Sequence, residues 1–75
     1  MRLSECRPGQ GGKVIHVAEE GPLGQRLMEM GLLVGTRVEL VRFAPLGDPV
    51  EIKVRGYNLT LRKHEADQIF VRATE

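Results

Sequence analysis

Residues 50–62 read VEIKVRGYNLTLR, and this stretch decides the fold of the chain. Apolar and charged side chains alternate from Val50 to Val54, and apolar and polar side chains alternate again beyond the pair Arg55-Gly56. A period of two puts alternate side chains on one face of a strand, and a glycine-containing pair between two such runs is typical of a tight hairpin. The stretch therefore predicts two antiparallel strands joined by a two-residue turn.

Glycine and proline divide the rest of the chain into short elements. There are nine glycines and four prolines among the 75 residues, which exceeds their average combined share of about 12%. The patterns between them predict a turn at 3–6 with Ser4 as a candidate cap, a turn region at 7–12, a strand at 13–17, a helix, a strand at 37–44, a rigid loop at 44–49, a helical turn at 63–67 and a strand at 69–72.

One helix is predicted to begin at Pro22 and end at Gly31. Proline is favoured at the first position of a helix, and glycine can adopt the left-handed conformation that ends one. Met28 falls at the edge of the apolar face, where a flexible thioether suits a contact surface. The predicted core stripe of the helix consists of Leu23, Leu27 and Met30.

The strand at 37–44 breaks the strict alternation of the hairpin. Its apolar side chains change parity at Leu40-Val41, which predicts a bulge or a strong bend. Five short strands with one short helix and a helical turn predict a mainly β chain, folded as a small, partly open β-barrel, because closure removes strand edges that a flat sheet exposes.

Length and charge restrict the class of protein. A chain of 75 residues allows one domain, which we assign to residues 1–75. The net charge of +1, with acidic residues such as Glu39 and Glu65 interrupting the basic ones, indicates a mixed solvated surface and argues against nucleic-acid binding. A lone Cys6 forms no internal disulfide, and no signal-peptide or membrane-spanning pattern is visible, so we expect a soluble cytosolic domain.

No motif in the sequence points to catalysis or to a bound cofactor. The glycine-rich stretch 9–13 precedes a strand, whereas a phosphate-binding loop follows one and opens a helix. A core this small is also expected to surround no pocket of about 300 Å³ or more. His16, His64 and Cys6 show no metal-ligand spacing, which leaves a site assembled by the fold open. The chain is therefore predicted not to be an enzyme, with no cofactor and no dedicated metal site.

Three segments carry a resemblance to a known family: residues 27–36, LMEMGLLVGT, residues 44–49, APLGDP, and residues 56–62, GYNLTLR. From about Leu3 to Val71 the chain resembles the FeoA family, ferrous iron transport protein A. Val34 departs from the pattern, since the family usually has proline there. The resemblance implies an SH3-like barrel without enzymatic activity. It also implies an accessory or regulatory partner of FeoB, the membrane GTPase transporter of ferrous iron, in the bacterial cytoplasm.

A binding module of this kind needs a contact surface. A loop stiffened by two prolines loses little entropy on binding, so Leu46 at its apex is predicted to act as an apolar anchor, together with Met28 and Leu33. The alternative for Leu46 is that it folds back over the end of the barrel. The alternative function is direct binding of ferrous or another transition-metal ion, as a weak carrier or a metal-bridged oligomer, through His16, His64 or carboxylates.

Overall fold

A computed structural model of the protein describes residues 1–18 and 21–73. A 3-10 turn at Leu3–Glu5 is followed, in chain order, by β1 (Gly11–Val17), α1 (Pro22–Glu29), β2 (Arg37–Phe43), β3 (Val50–Val54), β4 (Tyr57–Leu61), α2 (Lys63–Ala66) and β5 (Ile69–Ala73). The prediction of a mainly β chain with five short strands, a short helix and a helical turn is confirmed.

The five strands form one antiparallel sheet in the order β4-β3-β2-β1-β5. The predicted hairpin is present, with Val54 opposite Tyr57. The predicted bulge in β2 is also present, because Leu40 pairs with Ile52 and Arg42 with Glu51, which leaves Val41 as the extra residue. A second bulge between Val14 and His16 in β1 was not predicted. Bulges increase local twist, so the two central strands bend the sheet around its core.

The first strand begins earlier than the sequence predicts. Residues 11 and 12 belong to β1 and not to the turn region. An added Cβ on Gly11 would lie 2.0 Å from the carbonyl oxygen of Val38, and one on Gly12 would lie 1.9 Å from that of Arg72. The assignment of these glycines to a turn was wrong because they serve close backbone approach, which also favours glycine.

Helix α1 starts and ends as predicted. Pro22 is its first residue and Gly31, with φ of +94°, follows its last turn. The amide of Gly31 donates to the carbonyl of Met28, and the amide of Leu32 donates to that of Leu27. These two bonds form a Schellman motif, in which the apolar residue after the glycine packs back on the helix. Leu27 and Leu32 are both fully buried.

The core lies between the bent sheet, α1 and the two helical turns. Leu23 and Met30 of the predicted stripe are partly buried against it. Its buried apolar residues are Leu3, Cys6, Val14, Leu27, Leu32, Val38, Leu40, Val50, Ile52, Val54, Leu61, Ala66, Ile69 and Val71.

The 3-10 turn and α2 share the same hydrogen bond at their N-termini. In the 3-10 turn, the amide of Arg2 donates to Glu5 Oε1 at 2.7 Å, and in α2 the amide of Arg62 donates to Glu65 Oε1 at 2.8 Å. The prediction that Ser4 caps the first turn was wrong. Ser4 lies inside the turn, and its hydroxyl donates to Asp67 beside α2. This hydrogen bond ties the 3-10 turn to the end of α2.

Glu65 is a buried carboxylate and not part of a solvated surface, which corrects the sequence-based expectation. Its exposed fraction is 1%. One oxygen accepts from the amide of Arg62 and the other from Arg26 Nη1 at 2.7 Å. Burial of a charge is tolerated where both oxygens have partners. Glu65 therefore joins α1 to the start of α2.

Candidate partner-binding surfaces

The two ends of the β2–β3 pair carry different surfaces. At the end where β2 begins and β3 ends, a groove of about 720 Å³ opens between the segment before β1, the segment 33–36 and the hairpin tip. At the other end, the loop 44–49 projects from the sheet. Neighbouring surface segments, and not the core, form the groove.

The groove exists because side chains are missing along its lining. Five of the residues that line it are glycines: Gly9, Gly11, Gly12, Gly35 and Gly56. At Gly11 and Gly12 a Cβ would collide with the backbone of the neighbouring strands, whereas at Gly9, Gly35 and Gly56 it would meet no atom within 4 Å. Close backbone packing therefore requires glycine at two positions of the lining, and the other three leave their part of the lining without side chains.

One wall of the groove is apolar. Leu33 is 39% exposed and Val34 is 70% exposed, and both line it. Their segment is fixed by backbone bonds, since the amide of Gly35 donates to the carbonyl of Val14 at 2.7 Å and the amide of Thr36 to that of Leu33 at 3.0 Å. Two exposed aliphatic side chains are thus held in place beside a concave surface.

The other wall is basic. Arg37, Lys53 and Arg55 line the groove together with one carboxylate, Glu39, which lies directly opposite Lys53 in the β2–β3 register. Arg55 Nη2 lies 3.5 Å from Thr36 Oγ1 and reaches across from the hairpin tip. Three cations and one carboxylate give the lining a formal charge of +2.

The basic wall continues across the sheet. Lys13 lies directly opposite Arg37 on one side and opposite Arg72 on the other. All three side chains are exposed. Residues directly opposite in antiparallel strands project from the same face, and like charges there repel one another. The register therefore produces a cationic row that sequence analysis missed, because the three residues are far apart in the chain.

The loop at the other end presents a single apolar side chain. Leu46 is 97% exposed, so the alternative in which it folds back over the barrel is wrong. The loop beneath it is held by three hydrogen bonds: Gly47 N to the carbonyl of Ala44, Ala44 N to that of Pro49, and Lys63 N to Asp48 Oδ1. The first two bonds close the loop on itself and the third ties it to α2, so Leu46 extends from a fixed base.

The three residues predicted as a partner face do not form one patch. Leu33 lines the groove before β2 and Leu46 projects from the loop after it. A strand rises about 3.3 Å per residue, so the seven residues of β2 place these ends roughly 20 Å apart. Met28 is 54% exposed on α1. All three are accessible, and their role in binding stays a prediction.

The groups considered for metal chemistry are dispersed. His16 and His64 are exposed, and within residues 1–18 and 21–73 no three histidine, cysteine, aspartate or glutamate side chains come together as a metal site. Burial raises the pKa of the Cys6 thiol, which suppresses the thiolate that binds metals and reacts.

Within residues 1–18 and 21–73, no helix is long and apolar enough to cross a bilayer.

The chain matches a known family along almost its whole length. Residues 1–73 match the family model described as the FeoA domain. The Fe(2+) transport protein A/Fe(2+) transporter FeoB fusion protein of Porphyromonas gingivalis is 38% identical over 71 residues, which cover 95% of this chain and 8% of that protein. The chain therefore spans a small part of this curated relative.

Solved structures share the fold. The solution structure of the FeoA protein of Chlorobium tepidum matches with a TM-score of 0.92 and 43% identity, over 100% of this chain and 71% of that one. Stenotrophomonas maltophilia FeoA, solved in complex with zinc and described as a prokaryotic SH3 domain protein, matches with a TM-score of 0.83 and 29% identity, over 96% of this chain and 89% of that one. The SH3-like fold implied by the sequence resemblance is confirmed.

Proposed function

Because the chain belongs to the FeoA domain family, we propose that it is a cytoplasmic accessory protein of bacterial ferrous iron uptake that binds the FeoB-type membrane transporter. The family is linked to ferrous iron transport and is not a known class of enzyme. The activity assigned here is regulation of a transporter through protein–protein contact.

The observation that carries this proposal is the fused relative. In the Porphyromonas gingivalis protein, a segment similar to this chain is part of the same polypeptide as a FeoB transporter. Fusion holds two modules at a high effective concentration, so a weak contact between them becomes intramolecular. A separate chain has to supply its own contact surface, and it meets its partner by diffusion.

Leu46 is the proposed anchor of that contact, and Met28 and Leu33 are additional apolar contacts. A side chain that is 97% exposed buries nothing in the free protein, so its apolar area is available to a partner. The hydrogen bonds from Ala44, Gly47 and Lys63 fix the loop before binding. A fixed loop loses less conformational entropy when a partner closes on it.

Replacing Leu46 by aspartate tests the anchor. We expect the free energy of unfolding to change by less than about 0.5 kcal/mol, because exposed substitutions have small effects, and binding to the cytosolic GTPase portion of the transporter to weaken about tenfold or more. Biolayer interferometry with the transporter portion in its GDP-bound and GTP-analogue-bound states measures the binding. Ile15→Asp, the same change at an exposed apolar residue of β1, is the control.

Two results count against the proposal. Unchanged binding by Leu46→Asp removes the loop from the interface, and Met28→Asp and Leu33→Asp then test the remaining contacts. Absence of binding by the unmodified chain in both nucleotide states contradicts the transporter contact itself.

A second candidate function is transition-metal binding, favoured by the zinc complex of Stenotrophomonas maltophilia FeoA. The dispersed donors of this chain make a metal shared between two copies the form that fits, since each copy then supplies only some of the ligands. Anaerobic calorimetric titration with ferrous iron tests it. A Kd below about 10 μM, near −7 kcal/mol, that is lost in His16→Ala or His64→Ala supports it, and no heat of binding contradicts it.

A further inference from the structure

The groove at the hairpin end is the second prominent surface of the molecule, and the proposed function does not use most of it. We propose that it binds an acidic, extended segment of a partner protein, with an apolar side chain of that segment against Leu33 and Val34 and its carboxylates opposite Lys53 and Arg55. This inference rests on the proposed function in one respect, namely that the partner is a protein.

The volume and lining of the groove suit a peptide. Its volume of about 720 Å³ lies within the roughly 300–1,000 Å³ typical of binding clefts. Two exposed aliphatic side chains on one wall provide apolar contact. The glycines of the lining leave room for the main chain of an extended segment, because Gly9, Gly35 and Gly56 carry no side chain into the open space beside them.

The charge around the groove selects an acidic segment. The lining carries a formal charge of +2, and Arg37 is continued by Lys13 and Arg72 across β1 and β5. Lys53 and Arg55 on the lining and Lys13 and Arg72 beside it are exposed. These cations attract an anionic segment, which gives them a role in recognition.

The concave shape distinguishes this partner from a membrane surface. Lipid headgroups present a plane, whereas Leu33 and Val34 on one side and the hairpin tip on the other enclose the groove. A flat anionic surface would contact the rims and leave the floor empty. A protein segment can contact the rims and also fill the space between them.

The test uses the whole purified chain and a fluorescein-labelled peptide of alternating leucine and glutamate. We expect saturable binding by fluorescence anisotropy that weakens as salt is raised, because exposed charges are screened. A peptide with glutamine for glutamate and one with serine for leucine are the probe controls. We expect both to bind less tightly, since each removes one of the two features that the groove matches.

Variants on each wall locate the site. Lys53→Glu and Val34→Asp both change exposed side chains, and each should weaken peptide binding about tenfold, which corresponds to about 1.4 kcal/mol. Val34→Asp should leave the melting temperature unchanged, whereas Lys53→Glu should lower it slightly, because it places a second carboxylate directly opposite Glu39. Lys63→Glu makes the same charge change beside the 44–49 loop and should leave binding within about twofold.

Several outcomes overturn the inference. Equal binding of the glutamine peptide shows that charge does not select the ligand, and equal loss in Lys63→Glu shows that only net charge matters. Binding to vesicles of phosphatidylglycerol and phosphatidylcholine with no binding to the peptide identifies a lipid surface instead. A concentration-dependent rise in mass by light scattering that Val34→Asp abolishes identifies a second copy of the chain as the occupant.

The result is separable from the test of the transporter contact. If the transporter binds the unmodified chain while the acidic peptide binds Lys53→Glu as tightly as the unmodified chain, the groove inference fails and the proposed function stands. If the acidic peptide binds in the groove while the transporter does not bind in either nucleotide state, the groove inference stands and the proposed function fails.

Discussion

The two ends of the β2–β3 pair obtain their shapes in opposite ways. The groove end is concave, and its lining includes Gly11 and Gly12, whose backbone packs directly against the neighbouring strands. The loop end is convex, and side-chain carboxylates hold it, with Asp48 accepting from the amide of Lys63 and Glu65 accepting from that of Arg62. The groove end depends on the absence of Cβ atoms, and the loop end depends on the presence of carboxylate oxygens.

This difference predicts opposite sensitivities to mutation. Adding a methyl group at Gly11 or Gly12 of the groove end should be damaging, because no space exists for it there, and a methyl group should be tolerated better at the loop end. Removing a polar group should damage the loop end, because a backbone amide then loses its acceptor. Substitutions at the two ends therefore test whether this difference is real.

The largest effect is expected for Gly12→Ala. The new Cβ would lie 1.9 Å from the carbonyl oxygen of Arg72, so β1 and β5 have to separate and lose ladder hydrogen bonds. We expect a loss of about 3 kcal/mol or more, which lowers the Tm of a domain this small by more than about 12 °C. Thermal denaturation followed by circular dichroism measures it.

Gly47→Ala is the matched control at the loop end. Gly47 has a positive φ, of +89°, which Gly12 does not have, but a Cβ at Gly47 meets no atom within 4 Å. The expected cost of Gly47→Ala is the backbone strain alone, about 1–2 kcal/mol. Destabilisation by Gly12→Ala that is no larger than this would mean that the close approach of β1 to β5 is relieved at little cost, and the comparison would not hold.

The next largest effect is expected for Glu65→Ala. The change removes the acceptor of the Arg62 amide and the partner of Arg26, and it leaves a cavity in a fully buried position. We expect a loss of about 2–3 kcal/mol. Glu65→Gln keeps an oxygen for the amide and should cost less, about 1 kcal/mol.

Hydrogen exchange shows where the Glu65→Ala effect is confined. Amides of residues 44–49 and 62–67 should exchange faster, because the 44–49 loop is tied to the first turn of α2 through Asp48. Amides of Gly11 and Gly12 should keep their protection. Uniform loss of protection would mean that the two ends unfold as one unit and that the comparison does not hold for stability.

The sequence predicts the local part of this fold well. The hairpin, the Schellman end of α1 and the bulge in β2 each depend on residues within a few positions of one another, and glycine, proline and alternation identify them directly. For Leu46 the sequence leaves two alternatives, exposure at the apex of its loop or a fold back over the barrel, and the structure shows the exposed one. These features need no knowledge of which strands are neighbours.

What the sequence does not reveal depends on register. Gly11 and Gly12 resemble turn residues until β1 is placed between β2 and β5. The row of Lys13, Arg37 and Arg72 appears only once their strands are paired. Glu65 could have been found, since a glutamate at the third position of a helical turn is the signature of a capping box, although its burial follows from packing against α1.

The smallest effect is expected at the hairpin tip and has the opposite sign. Arg55 has φ of +51° and Gly56 has φ of +85°, which is the conformation of a type I′ turn, where asparagine is favoured before glycine. Arg55→Asn should therefore raise the free energy of unfolding by about 0.5 kcal/mol in urea denaturation. It should also weaken binding of the acidic peptide about threefold, because one cation is lost from the groove.

A gain of stability together with a loss of peptide binding means that arginine is kept at this strained position for recognition. Stability and peptide binding that both fall would mean that Arg55 holds the groove together through Thr36, and a gain of stability without loss of binding would remove Arg55 from the recognition surface.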